Sequence, residues 1–381
     1  MPTLQLEYSW TPYAESVGGI DSVLNCFLRY AERHWPGRIE VKSLRGAAGE
    51  SLAGQCGART AIRPICGREG WLVPVNLRFA VSLWRDKTPP GGKRVLFLQR
   101  SDHALPYLGD DAPPLVLYIH GSAEHLHLPS GSKLRRLRAF MPLIEEGAIR
   151  RARHIFVCSE RGRSYYARLY PRFAGRFEVL PSAVYGSRFR LLGTQAARRE
   201  LGLEEDAFLV LFVGRIEVVK DPLLWASALE RVCAKLPNAR AAILGTGALA
   251  PQMLRRLEEY GIGGRLLCCK SVSEAELALW YNAADALLAT SHFEGSPKVV
   301  VEALACGTPV VATDVGDLPE MLAYDVPLTI CLGRDAQALA EAVVKNAGTR
   351  KKECPEFVRS HTCATVYRHV LEVLKAVAEG G

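Results

Sequence analysis

SHFEGSPKVVVEALACGTPVVATDVGDLPE, residues 291–320, decides how the rest of the chain reads. Asp285 to Ala289 (DALLA) before it and Pro309 to Ala312 (PVVA) within it are short apolar runs of strand type. The stretch therefore predicts strand, tight loop, helix, strand. Pro297 suits a first helical turn, where a missing N–H is no loss. Val299, Val300, Ala303 and Leu304 fall on one helical face, and Cys306-Gly307 carries the glycine of a helix stop. Such a helix aims its positive dipole end and its unbonded first-turn amides at Glu294-Gly295-Ser296, a setting for an anion or a sugar phosphate. Glu294 and Glu302 are separated by seven residues across this turn.

Working outward, 381 residues exceed one ordinary core and predict two domains. A composition 49% hydrophobic and 23% charged is that of a globular protein. No apolar run approaches the roughly 20 residues of a membrane span, and MPTLQLEYSW does not read as a signal peptide. The eleven cysteines are scattered without a C-x-x-C pair, so buried thiols in a reducing, cytoplasmic setting are expected. Residues 1–190 carry 28 Lys and Arg against 16 Asp and Glu, a net +12. Residues 191–381 carry 20 against 24, a net −4, and the two sum to the chain's +8. The densest basic stretch, 133–176, includes KLRRLR (133–138) and RRAR (150–153). It reads either as a surface for anionic lipid or a phosphorylated acceptor, or as a solvated arginine-rich face.

Strand and helix patterns alternate along both halves. In the first, strands are expected at 4–8, 39–44, 94–98, 115–119, 155–158 and 177–180, with helices from Gly18-Gly19 to Trp35, over 71–84 and over 132–153. Residues up to about Arg68 read as an irregular glycine-rich region, and 185–205 as a polar, arginine-rich linker. In the second, FLVLFV (208–213) ends in Gly214-Arg215, and strands at 241–244, 265–269, 285–289, 309–312 and 328–331 alternate with helices. Such alternation implies two doubly wound parallel sheets with ligands at the carboxyl ends of their strands.

Arg215 and Lys220 in GRIEVVK follow a strand end; alone the pair also reads as a solvated loop, but beside a helix start that seeks an anion a planar fork and a point charge can clamp a diphosphate. Gly245-Thr246-Gly247 has Ala250 where a dinucleotide fingerprint needs its third glycine, so a tight turn is expected. Glu294 and Glu302 fit the spacing of a glycosidase pair, but one lies in the loop and one inside the helix. Distinct jobs in binding paired sugar hydroxyls follow. His120, after the strand 115–119, is either a core-edge histidine or a residue that faces a ligand. Gly18-Gly19 either lets a ligand approach the backbone or is a plain turn. His125 and His127 have no partners at metal spacing.

These residues resemble the retaining glycosyltransferases of family 4, of the GT-B fold. The likeness is carried by FVGRIEVVKD, AAILGTGAL, AELALWYNAADALLATS and EGSPKVVVEALACGTPVVATDVGDLPE, and more loosely by GGID, YIHG, EEGAIRRARHIFVCSE and LPSAVYGSRF. It implies two Rossmann-like domains facing a cleft, 1–188 on the acceptor side and 189–360 for the nucleotide sugar. A terminal helix within 361–381 crosses back to the first domain. It further implies hexose transfer from a UDP- or GDP-linked sugar to an acceptor hydroxyl without a metal or other cofactor, in cell-envelope glycan, polysaccharide or glycolipid synthesis.

By the same resemblance Arg215 and Lys220 hold the diphosphate, with Gly18, Gly19, Gly214 and Gly245 close by. Glu302 binds the ribose, Glu294 the donor sugar, and His120 sits beside the sugar ring. Val272 and the run Gly295, Ser296, Pro297, Lys298 and Val299 complete the donor site. The expected partners are the donor and a glycan, lipid-linked or small-molecule acceptor. Peripheral contact with an anionic membrane through 133–176 is expected, and no nucleic acid. Lys270, Ser182-Ala183, Asp221, Asp317 and Lys298 depart from the family's usual residues. The other readings are a catalytically silent sugar-nucleotide scaffold and a GT-B-type epimerase.

Overall fold

The structure, a computed structural model, describes residues 1–8, 19–44, 58–67, 75–86, 93–121, 141–347 and 353–380. The chain divides into two compact units. One comprises 1–14, 24–181 and 366–381, the other 15–23 and 182–365.

In the first unit β1 (Thr3–Glu7), β2 (Ile39–Leu44), β3 (Thr60–Cys66), β4 (Arg94–Leu98), β5 (Leu115–Ile119), β6 (His154–Val157) and β7 (Phe177–Val179) form one parallel sheet. Their order is β3-β2-β1-β4-β5-β6-β7. Helices α1 (Gly19–His34), α2 (Val75–Arg85), α3 (Met141–Arg151) and α4 (Glu160–Leu169) connect them. β3 corrects the expectation of an irregular region. It is an edge strand with Pro64 inside it and no residue fully buried, so its sequence lacks the apolar run that marks a central strand. Of the helices expected at 71–84 and 132–153, residues 71–74 and 132–140 lie outside the described residues, as does Gly18.

The second unit holds α5 (Thr194–Leu201), β8 (Phe208–Val213), α6 (Pro222–Lys235), β9 (Ala239–Leu244), α7 (Ala250–Glu259), β10 (Leu266–Lys270) and α8 (Glu274–Ala283). It continues with β11 (Ala286–Ala289), α9 (Lys298–Ala305), β12 (Val310–Thr313), α10 (Leu318–Met321), β13 (Leu328–Cys331), α11 (Ala336–Lys345) and α12 (Pro355–Ser360). The strand order β10-β9-β8-β11-β12-β13, all parallel, is the doubly wound order with its switch point between β8 and β11. Burial on both faces explains the unbroken apolar strands. Leu209, Leu211 and Val213 of β8 enter a core with α8 and α9, whereas Phe208, Val210 and Phe212 enter one with α6 and α11. The terminal helix α13 (Cys363–Glu379) passes from this unit into the first at Thr365/Val366.

Two expectations change here. Residues 185–205 contain α5, closed by Gly202 in the left-handed conformation (φ 68°). They read as linker because of their arginines, yet Arg198 is buried, 2.7 Å from Asp285 and bonded to the Ala283 carbonyl at 3.0 Å. Val184 bonds to the backbone of His361 and Cys363, so the segment after Pro181 already packs in the second unit. Pro297 is the N-cap of α9 rather than a residue of its first turn, with φ −73° and ψ 94°. Among the described residues no helix is long and apolar enough to cross a membrane.

Candidate functional site

Glycine contacts bring the loops after β8, β9, β11 and β12 together. A Cβ on Gly245 would stand 1.9 Å from the Gly214 carbonyl oxygen, and one on Gly247 2.3 Å from that of Ile216. The Ile216 amide donates to Thr246 at 2.9 Å. The loop after β9 is thus a tight turn, as expected, seated on the loop after β8. On the far side of the switch point Gly316 (φ 59°) packs on the turn at Glu294-Gly295, where a Cβ would meet the Gly295 oxygen at 2.6 Å.

Within this frame Lys220 Nζ lies 2.5 Å from Glu294 Oε1, both side chains about four-fifths buried. Ser291 Oγ donates to the same carboxylate at 2.8 Å. Thr290 Oγ1 donates to the carbonyls of Lys220 and Asp221 at 2.9 and 3.0 Å, which ties the end of β11 to the loop carrying the lysine. The two groups assigned separately to diphosphate and sugar are therefore one ion pair. An ammonium has three donors, so Lys220 can keep Glu294 oriented and still meet an anion. Asp221 holds the following turn. It is the one non-glycine residue with positive φ (43°) among those described, and it caps α6 through the Leu224 amide at 3.1 Å. Arg334 pairs with Asp221 and donates to the Ser291 and Thr290 carbonyls at 2.8 Å each. Arg215 differs from Lys220: its side chain is 69% exposed and, among the described residues, pairs only with Glu217, at 3.1 Å.

At the start of α9 the N-cap residue, Pro297, gives no side-chain cap. Ser296 Oγ accepts from the Ser182 amide at 3.1 Å and donates to Asp317 Oδ2 at 2.5 Å, while Ser182 Oγ donates to the Ser296 carbonyl at 3.0 Å. Asp317 is buried and its Oδ1 has no partner among the described residues. Burial, then the carboxylates of Glu320 and Glu294, push its pKa up to about 7. Lys298 and Val299 point inward. Val299 is in the apolar core, so only its backbone can meet a ligand. Lys298 is buried with Nζ 3.4 Å from Glu302 Oε1, and it donates to Ser22 Oγ on the first turn of α1. Tyr281 donates to Glu302 Oε2 at 3.2 Å. Burial raises the pKa of Glu302, and Glu274 adds to this, against the Lys298 ammonium. Ser22 in turn donates to Glu274 at 3.2 Å, and Arg188 pairs with Glu274.

Gly19 opens α1 with φ 74°, and its Cβ direction is empty. Val272 is buried in the α8/α9 core. Lys270 reaches outward to Glu276 at 2.7 Å. His120, in the first unit, shares a 2.7 Å hydrogen bond between Nε2 and Gln99 Oε1, and its ring lies against Tyr118 at 4.0 Å. Burial, with Arg100 nearby, lowers its pKa to about 3, so it is neutral at ordinary pH. Sequence reasoning missed Ser22, Tyr281, Ser291, Arg334 and Gly316. Only Gly316, a glycine in the loop that follows an apolar strand, carried a local signal. Among the described residues no three His, Cys, Asp or Glu side chains gather as a metal-binding group.

Residues 193–351 match the family model described as glycosyl transferases group 1. A D-inositol 3-phosphate glycosyltransferase 2 of Catenulispora acidiphila is 34% identical over 208 residues, 52% of this chain and 49% of its own length. The D-inositol 3-phosphate glycosyltransferase of Mycobacterium tuberculosis is 37% identical over 173 residues, 44% of this chain and 35% of its own. The chain thus spans about half or less of the curated relatives it matches. The structure of HepE from Anabaena in complex with UDP has a TM-score of 0.73 at 19% identity, covering 99% of this chain and 100% of that one. Sucrose-phosphate synthase from Thermosynechococcus elongatus has a TM-score of 0.72 at 19% identity, covering 100% and 97%. The fold is that of GT-B glycosyltransferases, two Rossmann-like units with parallel sheets, and residues 193–351 resemble the glycosyl transferases of group 1.

Proposed function

We propose that the protein is a retaining glycosyltransferase that moves a hexose from a UDP- or GDP-linked sugar to an acceptor hydroxyl without a metal. The observation that carries this is the Lys220–Glu294 pair at the carboxyl ends of β8 and β11, beside the uncapped start of α9. Breaking the anomeric C–O bond builds negative charge on the departing diphosphate and positive charge on the sugar. Lys220, Arg215 and the α9 amides offer fixed positive ends to the first, and each such donor is worth on the order of 3 kcal/mol when removed. Glu294 accepts hydroxyls of the sugar. Glu302 and its Lys298 partner meet the ribose. His120, held neutral, acts as a hydrogen-bonding group rather than a cation. UDP is favoured by the likeness to HepE, whose solved complexes contain UDP and UDP-glucose.

Front-face attack is the proposed course, with the acceptor oxygen bonding to the anomeric carbon as the C–O bond to the diphosphate breaks and the leaving phosphate taking the acceptor's proton. Trapping a covalent glycosyl-enzyme would overturn that step. The basic first half favours an anionic or lipid-linked acceptor presented at a cytoplasmic membrane face, in envelope glycan or glycolipid synthesis. The D-inositol 3-phosphate named for the curated relatives is one soluble acceptor of that charge. The test is nucleotide release. Protein with chelator is incubated with UDP- and GDP-hexoses plus D-inositol 3-phosphate or a lipid phosphate, and free UDP or GDP is measured, with the anomer of the product read by NMR. Turnover with retained configuration is expected. Tight UDP binding without turnover for any acceptor would favour the scaffold reading instead.

A further inference from the structure

At the opposite end of the first sheet from His120 lies a cavity of about 460 Å³. Pro114, Arg153 and Arg176, each immediately before β5, β6 or β7, line it together with Arg150, Arg151 and the end of α13 at Val377, Ala378 and Gly380. His120 follows β5, so some 16 Å of strand separates the two ends. Every residue of the cavity belongs to the first unit, whereas Lys220, Glu294 and Glu302 belong to the second.

Four guanidinium groups line this cavity against a single carboxylate, Asp110. Two of them are fixed by backbone carbonyls. Arg176 gives Nη1 to the carbonyls of Ile149, Arg150 and Ala152 at 3.5, 3.0 and 2.8 Å, and its guanidinium carbon lies 4.9 Å over the Phe173 ring. Its Nε and Nη2 have no partner among the described residues. Arg151 gives Nε to Gly109 at 3.3 Å and Nη2 to Ala112 and Pro113, leaving Nη1 without a partner. Arg150 and Arg153 have no carboxylate partner among the described residues, and both are exposed. Burial, then the neighbouring Arg153, lowers the pKa of Arg151, against the Asp110 carboxylate. Carbonyl-pinned forks with unused N–H edges are pre-organised for the planar, bidentate contacts that phosphate oxygens make. The volume is within the range of sites that enclose a small molecule, larger than one phosphate needs.

We propose that this cavity is an anion site for a ligand carrying phosphate groups, built from the first unit alone and independent of the activity proposed above. The phosphate can come from a soluble polyphosphate or from a phospholipid headgroup, and two arms separate these sources. With excess UDP present throughout, full-length protein is titrated with inorganic pyrophosphate, and separately with phosphatidylcholine vesicles with and without phosphatidic acid. Arg150→Gln/Arg153→Gln should weaken binding about tenfold or more, since two charged hydrogen-bond donors are lost. The double variant Arg168→Gln/Arg172→Gln, on exposed arginines outside the cavity, should leave it unchanged. Loss in the pyrophosphate arm assigns a soluble ligand, and loss only with phosphatidic acid assigns a headgroup. Wild-type binding in neither arm, unchanged binding by Arg150→Gln/Arg153→Gln, or equal weakening by both double variants would overturn the proposal.

Discussion

The two acidic residues of the EGSPKVVVE turn show how environment divides the work of like side chains. Glu294 is held by Lys220 and Ser291 near the surface of its unit, while Glu302 is fully buried between Lys298 and Tyr281. Glu294→Ala should abolish transfer yet keep UDP affinity and stability nearly intact. Glu302→Ala should weaken UDP first and also lower stability by roughly 3–5 kcal/mol, because it strands the buried Lys298 ammonium. UDP titration, turnover and urea unfolding on both variants check this, and equal loss of UDP affinity would show the division to be wrong. Asp317 adds a pH signature. Its pKa of about 7 lies above the ordinary 3.8, so between those values the folded chain holds a proton that the unfolded chain has released. Its contribution therefore falls as pH rises from about 4 to about 7 and is flat above. Asp317→Asn should remove that part of the slope in urea melts across the range, and an unchanged slope would count against a buried, protonated Asp317. Of these residues the sequence showed Glu294 and Glu302 through their spacing. It showed Asp317 and Lys298 only as departures from a family pattern, because burial and partners depend on contacts from distant segments such as Ser22 and Tyr281.

Among the elements, legibility followed burial. β8 was plain in the sequence because both its faces are covered and every residue is apolar. β3 was hidden because an edge strand needs neither an apolar run nor freedom from proline. α5 was hidden for a related reason, its arginines suggesting solvent where Arg198 is in fact an interior ion pair. The loop after β9 read correctly as a tight turn, but its tightness has a cause that sequence spacing does not show: it seats on the loop that carries Arg215 and Lys220. Gly245→Ala would drive a Cβ to 1.9 Å from the Gly214 oxygen, which neither backbone can yield without moving the β8 loop. We expect a loss of more than about 2 kcal/mol in stability and a fall in UDP affinity. Gly263→Ala serves as the control, since there the atoms nearest the new Cβ are the far end of the Glu258 side chain, which can swing away. Urea unfolding of the two variants decides it, and equal stability would remove the loop-on-loop packing from the account.

At the scale of the whole molecule, the charge asymmetry and the two-sheet plan were both written into the composition and the alternation of elements. The places where the chain passes between units were not, because Pro181/Ser182 is set by Val184 bonding to residues 361–363, far along the sequence. The division has a thermodynamic consequence. Gly19, Arg215, Lys220, Gly245, Glu294 to Val299 and Glu302 all belong to the unit of 15–23 and 182–365, about 190 residues. A ligand stabilises what it binds by RT ln(1 + [L]/Kd), about 2.7 kcal/mol at a hundredfold excess over Kd. For a unit of this size each kcal/mol moves Tm by about 2–4 °C. UDP should thus raise the unfolding of the second unit by about 5–10 °C and leave that of the first in place. Scanning calorimetry with and without UDP, with hydrogen exchange to assign each transition, reads this directly. Pyrophosphate added on top of UDP should then stabilise the other unit, where Arg150, Arg151, Arg153 and Arg176 gather. If UDP protected amides around β5 to β7 as strongly as those around β8 to β12, the nucleotide would not be held by the second unit's residues, and the assignment of Lys220, Glu294 and Glu302 to one donor site would fall with it.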